Sequence, residues 1–189
     1  MNKLIIAGVD EVGRGCLAGP VVSAAVILKD GINLDLLKDS KKISFNKRQE
    51  ISDHIKSHSH YAIGLASVEE ILDLNILQAA LLSKKRAINK LSIKPELVLI
   101  DGNFAPKGIK KFKTIINGDE KIKCISAASI IAKTYRDLLM IKLSEKYKNY
   151  AWEKNFGYGT KSHMNGLKKF GITSHHRKAF KPIHKILFK

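Results

Sequence analysis

Hydrophobic and polar residues alternate along this chain in blocks that predict a series of strands and helices. Residues 4–9 form a short, mostly apolar run that stops at two adjacent acids, Asp10 and Glu11. Such a run is typical of a strand that is buried on both faces. Residues 21–28 form a second apolar run, and the short glycine-containing connection between the two predicts that these strands pair antiparallel.

The next part of the chain predicts two helices with a strand between them. Ser44 can cap the first helix, and residues 61–68 have the pattern of a third strand. Apolar side chains recur at helical spacing over residues 76–91, which predicts a longer helix. On this helix the basic side chains of residues 84–86 are expected on the outer face.

Acidic residues follow the apolar runs. Residues 97–101 form another buried-type strand that ends on Asp101, and residues 114–116 form a short run that meets a glycine and then Asp119. A strand that follows a helical crossover usually lies parallel to its neighbour, so the ends that carry Asp10 and Asp101 are expected at one edge of the sheet. Ligands of open α/β sheets bind at this edge.

The last third of the chain is predicted to be largely helical, and it becomes aromatic and basic towards its end. A long helix is expected from Ser126, a candidate N-cap, to about residue 147. Tyr158 follows between two glycines, and a short helix after it ends at Gly171. The sequence contains no internal repeat and no low-complexity linker.

Composition narrows the class of protein. The 189 residues suffice for one sizeable core but not for two ordinary domains. A formal net charge of +17 favours a polyanionic partner, most simply nucleic acid. No apolar run approaches the roughly 20 residues that a membrane span needs, and the first run ends too early for a signal peptide. Two cysteines without metal-ligand spacing fit a reducing compartment, so we expect a soluble cytoplasmic protein.

The acids at the strand ends predict a metal site. A single acid at such a position is more often a solvated turn residue. Four acids that converge would repel one another and take up protons unless a cation neutralised them. Oxygen ligands favour a hard cation, Mg²⁺ or Mn²⁺, and two such ions about 4 Å apart can hydrolyse a phosphodiester. The four candidate ligands are Asp10, Glu11, Asp101 and Asp119.

Residues near these acids have two possible roles each. The Gly13-Arg14-Gly15 element can be a tight turn, or its backbone amides can contact a substrate phosphate or sugar. Lys41 and Lys42 are either solvated or part of the substrate-binding surface. Tyr158 can fill space, or it can stack on a sugar or base.

Two further groups of residues are ambiguous. Asp137 lies one helical turn after Lys133, which favours an internal salt bridge, and a supporting position behind the metal ions is the alternative. The seven histidines are scattered along the chain. Metal-dependent hydrolysis needs none of them, so surface or packing roles are expected.

Six segments of the chain resemble the ribonuclease HII family, the prokaryotic type 2 ribonucleases H. They are GVDEVGRGCLAGPVV at residues 8–22, DSKK at 39–42, LVLIDGN at 97–103, NGDEK at 117–121, ISAASIIAKTYRD at 125–137 and FGYGTKSH at 156–163. The segments occur in the family's order over nearly the whole chain. DEVGRG followed by AGPVV is specific to the family, and SAASIIAK strengthens the resemblance.

The resemblance implies a fold and an activity. The fold is ribonuclease H-like α/β, with a mixed five-stranded sheet flanked by helices. We expect a single catalytic domain over residues 1–189, in which residues from about 145 to 189 form a helical C-terminal extension. The implied enzyme is an endoribonuclease that cleaves the RNA strand of RNA/DNA hybrids. It also nicks duplex DNA on the 5′ side of embedded ribonucleotides, which leaves 5′-phosphate ends and starts ribonucleotide excision repair.

The resemblance also implies roles for individual residues. The family's metal-binding carboxylates fall on Asp10, Glu11, Asp101 and Asp119, with two Mn²⁺ or Mg²⁺ ions during catalysis. Its glycine-arginine-glycine element, here Gly13, Arg14 and Gly15, contacts the ribose 2′-hydroxyl and the junction phosphate. Its tyrosine, here Tyr158, stacks at the ribose-to-deoxyribose step. We also expect a monomer, and we consider contact between a replication clamp and the C-terminal tail.

Two other functions use the same features. A non-catalytic basic nucleic-acid-binding module would explain the charge, but it would leave the converging acids to repel the nucleic acid. A ribonuclease H-like phosphotransferase would use similar acids on a nucleotide, but no further phosphate-binding loop is visible in the sequence.

Overall fold

A computed structural model describes residues 4–33 and 44–188 of the chain. Five strands form its central sheet: β1 (Ile6–Val12), β2 (Val21–Leu28), β3 (Ser59–Ala66), β4 (Leu97–Asp101) and β5 (Phe112–Ile115). Their order in the sheet is β3-β2-β1-β4-β5. β2 pairs antiparallel with β1 and β3, whereas β4 pairs parallel with β1 and β5. This confirms the predicted α/β fold with a mixed five-stranded sheet, including the antiparallel first pair and the parallel β1–β4 pair.

Helices flank the sheet and continue the chain beyond it. They are α1 (Phe45–Ser57), α2 (Val68–Asn89), α3 (Gly118–Lys121), α4 (Lys123–Lys146), α5 (Trp152–Asn155), α6 (Lys161–Phe170) and α7 (Lys181–Leu187), with a 3₁₀ turn at Lys148–Tyr150. In the described parts of the chain, no helix has the length and apolar character that crossing a membrane requires.

The sheet is buried on both faces, which explains the continuous apolar runs of its central strands. Ala24 and Val26 of β2 pack against apolar side chains of α1 and α4. Ala25, between them, packs on the opposite face with Val9 and with Ala87 of α2. Alternate residues of one strand therefore contribute to two separate cores.

Gly8 lets the start of α4 approach β1 closely. A Cβ atom built on Gly8 would lie 2.2 Å from the carbonyl carbon of Cys124. Any side chain there would therefore push the helix away from β1, two residues before Asp10. The glycine thus fixes the distance between the long helix and the strand end that carries the acids.

Two helix starts differ from the sequence predictions. α2 begins at Val68, where Ser67 and Glu70 form a capping box. The predicted start at residue 76 coincides with a kink at Asn75, whose Oδ1 accepts hydrogen bonds from the amides of Leu77 and Gln78. The prediction that Ser126 caps the long helix is wrong. Helix α4 begins at Lys123, and the Ser126 amide already donates to the Ile122 carbonyl inside its first turn.

The C-terminal elements pack against the loop that follows β1. Trp152 and Ile183 are buried in one cluster with Leu17 and Ala18 of that loop and with Met140 of α4. The last third of the chain therefore supports the segment that contains the glycine-arginine-glycine element.

Candidate active site

Three acids lie at the ends of β1 and β4. Asp10 and Glu11 belong to the last three residues of β1, and Asp101 is the last residue of β4. The two strands are parallel, with Val9 opposite Ile100, so the next residues along each strand are Asp10 and Asp101. The parallel pairing therefore brings these acids to one edge of the sheet.

Asp10 is held in surroundings that disfavour its charged form. Only 6% of its surface is exposed. Burial, followed by the neighbouring charges of Glu11 and Asp101, raises the pKa of Asp10 to about 7. A hydrogen bond from the Ser129 side chain and the charge of Lys84 act in the opposite direction. Like charges are thus crowded at this edge, and a further cation would stabilise them.

The Glu11 carboxylate lies between two basic side chains. Its Oε1 accepts a hydrogen bond from Nη1 of Arg14 at 3.1 Å, and its Oε2 lies 2.5 Å from Nζ of Lys84. The Lys84 ammonium also donates to the main-chain carbonyl of Asp101 at 2.7 Å. Arg14 thereby connects the acids to the loop after β1, and Lys84 places a positive charge among them.

Lys84 corrects the prediction that residues 84–86 lie on the outer face of the helix. Its side chain is only 4% exposed, whereas the neighbouring Lys85 is exposed. Lys84 is four residues from both Ala80 and Ile88, which are buried, so it belongs to the buried stripe of α2. That spacing was the signal in the sequence for its position.

The fourth candidate ligand is next to a residue that contacts Asp101. The amide of Gly118 donates to Oδ1 of Asp101 at 2.7 Å, which docks the short helix α3 on the end of β4. Asp119 follows Gly118 in the first turn of α3 and is half-buried. The left-handed backbone of Asn117, with φ of 53°, makes the sharp entry into this helix.

The acids are turned towards protein partners in this structure. Within residues 4–33 and 44–188, no group of three acidic, histidine or cysteine side chains forms a ready-made metal site. The Oε2 atom of Glu11 is buried, and its neighbour is the ammonium of Lys84. These carboxylate oxygens fit a hard divalent cation once the side chains rotate.

Gly13 and Gly15 have different surroundings in the loop after β1. Gly13 has a φ of 92°, and a Cβ atom on it would lie 2.2 Å from Nε of Arg136. A Cβ atom on Gly15 would meet only the Tyr158 ring, at 4.0 Å from its Cε1. Gly13 is therefore required for packing, whereas Gly15 faces open space beside Tyr158.

Two buried arginines hold the main-chain carbonyls of this loop. Arg136 of α4 donates to the carbonyls of Ala18, Pro20 and Phe156 at 2.9, 3.0 and 2.8 Å. Arg177 donates twice to the Gly19 carbonyl, at 3.0 and 2.8 Å, and once to that of Arg14, at 2.9 Å. Together these contacts fix the loop from its buried side.

The contact between Arg177 and Arg14 also sets the direction of one amide. A trans peptide is planar, so the N–H of Gly15 points away from the Arg14 carbonyl that shares its peptide plane. Because Arg177 holds that carbonyl on the buried side, the Gly15 N–H is directed away from Arg177. The sequence does not indicate that either arginine holds this loop, since each contacts it across more than 100 residues of chain.

A network of neutral histidines supports the Tyr158 loop. The Nε2 atom of His163 accepts a hydrogen bond from Trp152 at 3.1 Å, so its proton is on Nδ1, which donates to the Tyr158 carbonyl at 2.9 Å. His176 lies 3.0 Å from His163, and burial lowers the pKa of both imidazoles, that of His176 to about 4. Tyr158 itself is 40% exposed. These two histidines therefore have the expected packing role.

Asp137 forms the salt bridge that its spacing predicts. Lys133 lies 2.7 Å from its Oδ1, and Arg48 of α1 adds a second contact at 2.6 Å to its Oδ2. The Asp137 side chain is fully buried between these cations. Its predicted supporting position behind the metal ions stays a prediction, and Lys41 and Lys42 lie outside the described residues.

Comparison with known proteins agrees with this architecture. The family model described as Ribonuclease HII matches residues 7–189. A ribonuclease HII from Pelagibacter ubique is 57% identical, over 97% of this chain and 99% of its own length. One from Wolbachia pipientis is 51% identical, over 98% of this chain and 96% of its own length.

Solved structures show the same fold. The ribonuclease H2 of Pyrococcus horikoshii has a TM-score of 0.79 and 27% identity, with 97% of each chain covered. The ribonuclease HII of Archaeoglobus fulgidus, solved in complex with PCNA, has a TM-score of 0.74 and 28% identity, with 94% of this chain and 96% of that chain covered. The chain therefore belongs to the ribonuclease HII family and is an endoribonuclease that degrades the RNA of RNA/DNA hybrids.

Proposed function

We propose that this enzyme also nicks duplex DNA on the 5′ side of single embedded ribonucleotides, and that the acids at the ends of β1 and β4 carry the reaction. The observation that supports this most is the proximity of two sets of groups. Glu11 of the acidic edge pairs with Arg14, and Arg14 belongs to the loop whose Gly15 faces the Tyr158 ring. The acids proposed for hydrolysis therefore lie next to the groups that are suited to recognise a ribose.

The family depends on divalent metal ions. We assign the ligands here to four acids, with Mg²⁺ and Mn²⁺ as the candidate ions: Asp10, Glu11, Asp101 and Asp119. Bound divalent ions activate water and stabilise the leaving oxygen in phosphodiester hydrolysis. The crowding of the buried Asp10 by Glu11 and Asp101, which together with burial raises the pKa of Asp10, favours cation binding at this edge.

The chain's own residues supply the distinction between RNA and DNA. The backbone charge of the substrate cannot report the 2′-hydroxyl, so direct contacts to the sugar are required. We assign this contact to the outward Gly15 amide, with Arg14 on the adjacent phosphate. To the Tyr158 ring, which is partly exposed beside Gly15, we assign a stacking contact with the sugar that follows.

The proposed binding partners rest on the net charge of the chain and on one relative. A net charge of +17 supports binding of RNA/DNA hybrids and ribonucleotide-containing duplexes. The Archaeoglobus fulgidus ribonuclease HII was solved with PCNA. In this chain Ile183 anchors α7 and Phe188 is 74% exposed, so we propose the C-terminal tail as a clamp contact. We further propose a cytoplasmic monomer that starts ribonucleotide excision repair.

The direct test uses a labelled DNA duplex that contains one ribonucleotide, incubated with the purified protein and with Mg²⁺, Mn²⁺ or EDTA. An all-DNA duplex and a long RNA/DNA hybrid serve as controls. We expect a metal-dependent nick 5′ of the ribonucleotide and no cleavage of the all-DNA duplex. Cleavage of the hybrid alone would contradict the proposed action on embedded ribonucleotides.

A further inference from the structure

A buried lysine lies among the acids of the candidate metal site. The Lys84 ammonium is 2.5 Å from Oε2 of Glu11 and 2.7 Å from the main-chain oxygen of Asp101. It also acts on the charge of Asp10. The ammonium therefore lies next to a carboxylate oxygen that a divalent cation would use, so one positive charge is already present at the candidate metal site.

The Lys84 side chain is anchored independently of Glu11. Its hydrogen bond to the Asp101 carbonyl involves a main-chain atom of β4, which cannot rotate away as a carboxylate can. Its side chain is 4% exposed and extends from the buried stripe of α2. Moving the ammonium into solvent would require its stem to leave the core, so it stays near the acids.

The two oxygens of Glu11 face cations that differ in how easily they leave. Arg14 is 52% exposed at its side chain and can rotate into solvent, which frees Oε1. Lys84 is enclosed, and Oε2 therefore keeps a positive neighbour. A divalent ion that binds Glu11 must share this carboxylate with Lys84 or displace it.

We propose that Lys84 is a resident counterion and a positioning residue. It keeps the acids assembled in the metal-free enzyme and competes with the divalent ion for Glu11. This inference rests on the proposed function, because it requires the acids to be the metal ligands. As a consequence, the Lys84 side chain stabilises the metal-free site and at the same time lowers the affinity of the site for the metal ion.

The test is Mn²⁺ binding by Lys84→Met, measured without substrate from the loss of the free-ion signal in electron paramagnetic resonance. Methionine keeps the length and apolar stem of the side chain but removes the charge. We expect the Mn²⁺ dissociation constant to fall by roughly tenfold, because a positive charge beside the ion has been removed. We also expect a lower melting temperature in EDTA and a larger rise on addition of Mn²⁺ than in the wild type.

Lys85→Met is the matched control, since it removes the same charge from the adjacent, exposed position on α2. It should bind Mn²⁺ as the wild type does. An unchanged or raised dissociation constant for Lys84→Met would overturn the inference. If Lys84→Met does not fold in EDTA, the same criterion applies to Lys84→Gln, which can still donate to the Asp101 carbonyl.

One further variant separates the inference from the function on which it rests. Asp10→Asn should weaken Mn²⁺ binding, because it removes a carboxylate ligand. If Asp10→Asn and the wild type bind Mn²⁺ equally, the proposed metal site is wrong. If Asp10→Asn weakens binding and Lys84→Met does not tighten it, only the role of Lys84 is wrong.

Discussion

The two halves of the active site are stabilised in opposite ways. At the acidic edge, Asp10 is buried beside two like charges, and its raised pKa shows that the ionised form is disfavoured there. In the loop after β1, buried arginines hold the main-chain carbonyls, and the neutral His163 holds the carbonyl of Tyr158 beside that loop. The first region is therefore suited to binding a further cation, and the second is suited to rigidity. Substitutions should accordingly separate activity from stability.

The largest expected effect is on hydrolysis by Asp10→Asn. We expect nicking to fall by about 1,000-fold, or about 4 kcal/mol of barrier, because a metal ligand is weakened. Above pH 7 the metal-free variant should be at least as stable as the wild type, since a disfavoured charge has been removed. Nicking rates and urea unfolding in EDTA measure the two quantities. Normal nicking would contradict the assignment.

The next effect is on stability in the loop. Arg177→Met should lower the free energy of unfolding by about 3 kcal/mol, because it leaves the Gly19 and Arg14 carbonyls without donors in a buried site. Lys178→Met, the exposed neighbour, is the control and should change stability little. Urea unfolding decides between them. Equal stability of both variants would mean that Arg177 does not hold the loop.

Gly13 and Gly15, which are two residues apart in the loop, allow the effects on stability and on cleavage to be compared. Gly13→Ala should destabilise the protein by about 2 kcal/mol, because its Cβ would contact Arg136 at a positive φ. Gly15→Ala should be close to the wild type in stability but should lose cleavage next to a ribonucleotide, because its methyl group would occupy the space beside Tyr158. The idea fails if Gly15→Ala cuts normally.

Tyr158→Ala should have a smaller effect that depends on the substrate. We expect about a tenfold loss on DNA with a single ribonucleotide, in line with one lost stacking contact, and a smaller loss on a long hybrid. Tyr158→Phe keeps the ring and should retain the preference. Equal losses on both substrates would remove the proposed junction role.

The effects of pH on stability have opposite signs in the two regions. The pKa of Asp10 is raised from 3.8 to about 7, so its contribution to the stability of the metal-free protein falls as pH rises through this range. The pKa of His176 is lowered from 6.5 to about 4, so its contribution is lost as pH falls through that range.

Variants separate the contributions of Asp10 and His176, each of which changes the free energy of unfolding by about 1.4 kcal/mol per pH unit, the value for one proton. Relative to the wild type, Asp10→Asn should gain stability as pH rises from 4 to 7. His176→Gln should instead gain relative stability as pH falls from 6.5 to 4. Urea unfolding in EDTA over this pH range is the measurement, and parallel curves for all three proteins would contradict both assignments.

The parts of the site that the sequence predicted are those set by local pattern and by one topological rule. The apolar runs located β1 and β4, and the parallel crossover placed Asp10 and Asp101 at one edge. The spacing of Lys133 and Asp137 predicted their salt bridge. Each of these depends on short-range periodicity or on the handedness of connections.

The parts that were missed depend on packing between distant segments. Arg177 contacts Arg14 across 163 residues, and no local pattern indicates which arginine will be buried. The basic side chain of Lys84 suggested an outer face, although its spacing placed it in the buried stripe of α2. Ser126 had the side chain of a cap, but α4 begins at Lys123 after the extended residue Ile122, so Ser126 already lies in its first turn.

The most direct test of the account is the position of bound metal. Anomalous diffraction from a crystal soaked in Mn²⁺ should show a peak at the ends of β1 and β4, with carboxylate oxygens of Asp10 and Asp101 within about 2.2 Å of the ion. The same soak of an Asp10→Asn crystal should give a weaker peak or none. Strong density at another site, with these oxygens pointing away from any ion, would contradict the central claim.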